Sequence, residues 1–170
     1  MSGLVPRTRR QLVGHGALLI FAGGVIGFGF LFFLIGRIEL WPIPGSIDYQ
    51  LPGTYDAWRM AHMEAIVNGA LLWITAAALP LLPFSAIGQR RTGLCMIVVA
   101  WTIVVASMLD PLFADSRGLA AGGPVTNNLA FGLFYVGVGL VMIVTAVVAW
   151  KSLFGRDADG DCSAANRESA

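Results

Sequence analysis

From Leu12 to Gly36 the chain reads LVGHGALLIFAGGVIGFGFLFFLIG, a run without one Asp, Glu, Lys or Arg. About 20 helical residues cross the roughly 30 Å hydrocarbon layer of a bilayer, so this stretch is long enough to span one. Three further runs qualify, at about 57–82, 92–113 and 127–150. Helices are the economical reading, because lipid offers nothing to hydrogen-bond a bare backbone. The fold expected is an all-α, integral-membrane bundle of four transmembrane helices. It forms one domain over residues 1–153, and a polar tail over 154–170 is expected to be disordered.

Composition agrees. Of 170 residues, 56% are hydrophobic and 12% charged, against about 25% charged in a soluble domain. The net charge of +1 and the lack of a basic stripe interleaved with aromatics argue against nucleic acid as a partner. Cys95 and Cys162 make no framework and have no metal-ligand spacing, so two free thiols are expected.

Basic residues orient the spans. Arg7, Arg9, Arg10, Arg90, Arg91, Lys151, Arg156 and Arg167 fall on one side, and Arg37, Arg59 and Arg117 on the other. The positive-inside rule then puts both termini in the cytoplasm, with the first span an uncleaved anchor. The loop from Arg37 to Tyr55, rich in turn formers at Pro42, Pro44-Gly45 and Pro52-Gly53, lies outside and folds over the mouth of the bundle. Thr54 is placed to cap the second helix, with Asp56 in its first turn. Gly23 and Gly27 make a small-xxx-small pair suited to close helix packing.

The polar residues inside the spans are the candidates for chemistry, since ionisable groups in hydrocarbon survive mainly where they line a site or a packed interface. His62 leads. It is either a haem ligand or catalytic base, or a core histidine bonded to a nearby carbonyl. At about 100° per residue, Glu64 and Asn68 share one helical face, and His62 lies about 120° round and about 9 Å along from Asn68. A planar ligand lying along the helix could touch both His62 and Asn68; a small metal ion could not. Glu64 and Asn68 could equally satisfy each other. His15 is the only other histidine. Its expected depth differs from that of His62 by roughly 20 Å, whereas two metal–nitrogen bonds reach only about 4 Å. A bis-histidine haem is therefore disfavoured, and His15 reads as a packing residue between two glycines. Asp110, before Pro111, reads as a solvated helix end. Trp58 and Trp101 are candidates for the wall of an apolar pocket, and Tyr135 is the only tyrosine expected inside a span.

With these residues in view, the chain resembles the styrene oxide isomerases, small four-span bacterial membrane enzymes. The marks are Gly14-His15-Gly16, Gly36-x-x-Glu39, Pro44-Gly45, Pro52-Gly53, Trp58-x-x-Ala61-His62, Asn68-Gly69, Leu79-Pro80 and Arg117-Gly118-Leu119. The resemblance implies a homotrimer with haem b held between subunits. His62 would be the axial ligand, and Asn68 would fall in the substrate site as the catalytic residue that positions the epoxide. The implied reaction is the redox-neutral rearrangement of an aryl or other hydrophobic epoxide to an aldehyde, with ferric iron as Lewis acid. The family's tyrosine late in span three falls on Ser107 or Met108, and its earlier aspartate on Val99 or Ala100. Glu64 is not part of the family pattern. The haem side of the site thus reads as kept and the opposite wall as rebuilt, with Tyr135 a possible replacement phenol. Two other readings stay open: a haem carrier or sensor without turnover, and a haem-free scaffold or transporter subunit in which His62, Glu64 and Asn68 form a hydrogen-bond cluster.

Overall fold

A computed structural model describes residues 4–154. The polar tail, with Cys162, Arg156 and Arg167, lies outside the described residues apart from Phe154. Four helices are long and apolar enough to cross a membrane: α1 (Leu4–Ile35), α2 (Tyr55–Ala78), α3 (Ala86–Leu112) and α4 (Val125–Phe154). A short 3₁₀ turn, Leu79–Leu81, continues α2.

Helices α2 and α3 start before the expected span edges because each has a capping residue outside the apolar run. Thr54 caps α2 as expected, its hydroxyl accepting the Ala57 N–H at 3.2 Å. Ser85 does the same for α3, accepting from Gly88 N–H at 3.2 Å. Arg90 and Arg91 therefore sit in the first turns of α3 rather than in a loop. At the other end α3 passes through Asp110 and Pro111 to Leu112.

The loop between α1 and α2 departs from the all-α expectation in one detail. Ile38–Glu39 (β1) pairs antiparallel with Ser46–Ile47 (β2), across a turn in which Gly45 adopts φ 133°. The loop docks on the bundle. Trp58 Nε1–H donates to the Pro52 carbonyl at 2.8 Å, and Gln50 donates to the Phe33 carbonyl at 3.1 Å. Gly53 packs so closely on the end of α3 that a Cβ there would lie 2.6 Å from the Pro111 oxygen.

Helices α1, α2 and α3 all touch one another, whereas α4 packs chiefly on α3. The core is Leu12, Leu19, Ile26, Trp58, Ala61, Ala65, Leu72, Met96, Ala100 and Val104, within the three-helix part. Only Ala130 and Gly137 of α4 are buried. Gly137 seats that helix, since a Cβ there would meet Thr102 Oγ1 at 2.8 Å. The consequence is a cleft between α2 and α4.

Candidate functional site

The α1–α2 seam is built from glycines. A Cβ added at Gly16 would lie 2.6 Å from the Trp73 ring, at Gly23 2.9 Å from Ile66, at Gly27 2.8 Å from His62 Cε1, at Gly29 2.8 Å from Trp58, and at Gly69 2.7 Å from Ile20. Trp58, His62, Ile66, Gly69 and Trp73 follow the three-and-four spacing of one helical face. The Gly23–Gly27 pair does pack closely, and what it packs against is the histidine.

His62 Nδ1 lies 2.8 Å from the Gly23 carbonyl oxygen. A carbonyl only accepts, so Nδ1 carries a proton, and in the neutral ring Nε2 is the nitrogen with the lone pair. No described residue hydrogen-bonds Nε2. An imidazole whose second nitrogen is tied to a carbonyl is the usual second shell of a metal-bound histidine, fixing both tautomer and ring orientation. Among the described residues no three His, Cys, Asp or Glu side chains converge on a common point. A metal on His62 would thus have to bring most of its own ligands, as a porphyrin does.

His62 lies deeper than the sequence implied. It is level with Gly23 and Gly27, near the middle of α1, which puts it about 12–18 Å along that helix from His15. The separation is shorter than the expected 20 Å and still far beyond two metal–nitrogen bonds. His15 has its own partner: its Nδ1 accepts from Trp101 Nε1–H at 3.2 Å.

Glu64 and Asn68 do bond each other. Asn68 Nδ2 donates to the Glu64 backbone oxygen at 2.9 Å and to Glu64 Oε2 at 2.9 Å. Asn68 is only 5% exposed. With the His62 ring turned into the α1 seam, Glu64 points away from it by about 160° and Asn68 by about 120°. The structure groups the three residues as one plus two.

The remaining candidates separate. Trp58 is 4% exposed and serves as a strut between α1 and the Pro52 loop. Trp101 packs against the core and bonds His15. Ser107 is fully buried, its hydroxyl given to the Ile103 carbonyl one turn back, so it offers a ligand nothing. Met108 packs on the core. Tyr135 is 74% exposed and faces Met60 across the α2–α4 cleft, in a pocket of about 350 Å³ with Phe131, Phe134 and Val138.

Asp110 corrects the sequence reading. Its side chain is 13% exposed and lies 3.7 Å from Arg117 of the α3–α4 loop. The pair borders two polar pockets of about 570 Å³ each at the loop end, with Asp56 common to both. That loop is knitted by residues the sequence reading passed over. Asn127 Oδ1 accepts the Gly118 N–H at 2.7 Å, its Nδ2 donates to the Ala120 and Gly122 carbonyls, and Asn128 Oδ1 accepts from Gly122 N–H. The signal was available: adjacent asparagines just inside a helix start, after a glycine-rich loop, are natural loop ties.

Residues 8–153 match the family model described as styrene oxide isomerase. The chain is also similar to the styrene-oxide isomerase of Pseudomonas fluorescens, 30% identical over 151 residues, which is 85% of this chain and 88% of that protein.

Proposed function

The chain belongs to the styrene oxide isomerase family, and on that premise we propose that it rearranges a hydrophobic epoxide, styrene oxide or a close relative, to the aldehyde within the membrane, using haem b held by His62. The observation that carries the haem assignment is the Nδ1 bond to the Gly23 carbonyl, which orients the ring and leaves Nε2 without a partner among the described residues. Bound there, haem b would supply a ferric Lewis acid for the epoxide oxygen.

The rearrangement needs no external electron or proton. The C–O bond at the aryl-bearing carbon breaks, hydride migrates to that carbon from its neighbour, and the carbonyl forms. The protein's part is to hold the substrate and to exclude water that would trap the cation as a diol. Asn68, its amide fixed by Glu64, is the residue we assign to the wall of the substrate site. Because His62 and Asn68 look in different directions on one copy, a site using both is most simply completed by a neighbouring copy, in keeping with a homotrimer carrying haem between subunits. The orientation we adopt has both termini in the cytoplasm of the inner membrane, the basic ends of α1 and α3 facing in.

The test is an absorption spectrum of detergent-purified protein, beside His62→Ala, followed by an assay of aldehyde formation from styrene oxide. A Soret band lost in His62→Ala, with turnover lost alongside it, is the expected result. A Soret band without turnover of any epoxide would favour a carrier or sensor. No band after haem is supplied would leave a scaffold in which the His62–Gly23 and Glu64–Asn68 bonds serve packing alone.

A further inference from the structure

Glu64 is a carboxylic acid near the middle of a membrane span, and the family pattern does not require it. Its neighbour Asn68 spends both amide hydrogens on it, one on the backbone oxygen and one on Oε2. The amide cannot be turned over, because both groups it faces are acceptors. What remains is Asn68 Oδ1 and Glu64 Oε1, neither bonded by any described residue. The single fully buried side-chain polar atom without a partner among the described residues is Gln89 Oε1. The two free oxygens are therefore not fully buried.

The face they occupy is set by helix geometry. Glu64 lies within about 40° of Met60, Leu71 and Thr75 around α2. Met60 lines the Tyr135 pocket. Leu71 and Thr75 line a second, almost wholly apolar cavity of about 280 Å³ whose far wall is Val144, Thr145 and Val148 of α4. Glu64 thus stands between two apolar pockets of the α2–α4 cleft.

We propose that the free oxygens of Glu64 and Asn68 form an acceptor subsite in this cleft for the hydrogen-bond donor of an otherwise apolar ligand, so that the preferred substrates are hydrophobic epoxides carrying a hydroxyl group. Unpaired acceptors in a low-dielectric setting are costly, and a hydroxyl placed between them relieves that cost. An epoxide oxygen cannot do this, since it only accepts. A site built to bond a hydroxyl discriminates strongly against the analogue that lacks one. This inference rests on the assignment of Asn68 to the substrate site.

The test compares 4-ethylbenzyl alcohol with its apolar isostere 1,4-diethylbenzene, binding of each measured by ligand-observed NMR on the haem-loaded protein and on Glu64→Met. Taking the variant-to-native ratio for each ligand cancels partitioning into detergent. Removal of one hydrogen bond should weaken the alcohol about tenfold and leave the hydrocarbon within about twofold. Equal changes for both ligands, or none for either, overturn the subsite. Glu64→Met removes a membrane carboxylate for a side chain of similar length; should it not fold, Asn68→Leu reads the same contrast by removing the other free oxygen. Turnover of 4-(hydroxymethyl)styrene oxide and 4-ethylstyrene oxide separates the two claims. A native protein that isomerises both epoxides but shows no alcohol contrast keeps the isomerase and loses the subsite. One that isomerises neither, yet binds the alcohol through Glu64, keeps the subsite and loses the isomerase.

Discussion

Helix α2 has two working faces, and they are opposites. Toward α1 it is sealed: glycines on both helices let backbones and rings approach until no added methyl fits, and His62 Nδ1 and the Trp73 indole N–H are both bonded to carbonyls of α1. Toward α4 it is open: the fourth helix leans on α3, pockets lie along the gap, and the polar pair there keeps two acceptors free. The contrast teaches a division of labour. Close packing holds a ligand atom in one orientation, which suits a permanent cofactor, whereas a loosely closed cleft admits molecules that must come and go.

The largest effect should come from breaking the seal. Gly27→Leu drives a side chain into the His62 ring, where a single Cβ already comes to 2.8 Å. Overpacking of this kind costs about 3 kcal/mol, a fall in Tm of about 6–12 °C for a chain of this size. Thermal unfolding in detergent followed by circular dichroism should show the lowered Tm, and with haem bound as proposed the Soret band should be lost. A Gly27→Leu protein with native Tm and native spectrum would mean that His62 is held by something other than the seam.

A smaller effect should follow from loosening the seam at its loop end. Trp58→Phe keeps most of the ring stacked on Gly29 and removes the donor to Pro52. The carbonyl left behind sits near the surface and can turn to water, so the loss should be about 1 kcal/mol, or about 2–4 °C in Tm. The haem spectrum should not move. A changed spectrum would show that the docked loop, one turn above His62, shapes the iron site and is more than its cover.

Much of this was legible in the sequence, and the part that was not has one physical origin. Length and apolarity identified four spans, Thr54 announced the start of α2, Gly23 and Gly27 announced a close contact, and His62 stood out as an imidazole in hydrocarbon. Azimuth was hidden. In a soluble helix the apolar stripe says which side faces the protein; a span apolar all round says nothing, so the sequence could not reveal that the His62 ring turns toward α1 while Glu64 and Asn68 turn away. It likewise could not show that α4 would pack on α3 and leave a cleft, because the decision rests on shape at Gly137 rather than on pattern. The Asp110–Arg117 pair was missed for a related reason: a carboxylate near a helix end and an arginine in the following loop read as solvated until the loop folds back over the helix. Trp58 and Trp101 were read as pocket walls from their size, whereas their indole N–H groups had partners to find at Pro52 and His15.

The smallest effect is expected on the open face, and there a null result is the informative one. Tyr135 is the tyrosine that the sequence offers as a replacement phenol. It lines the cleft about one turn above Glu64, and no described residue bonds its hydroxyl. Tyr135→Phe should change stability by less than about 0.5 kcal/mol, as for other exposed positions. If the phenol takes no part, kcat for styrene oxide should also stay within about twofold, which is too little for a transition-state contact. A fall in kcat of a hundredfold or more, with Tm and KM held, would place a transition-state interaction worth about 3 kcal/mol on that hydroxyl. The reacting carbon would then lie in the α2–α4 cleft within reach of that hydroxyl, and the proposed site between neighbouring copies would be walled by α4 as well as α2.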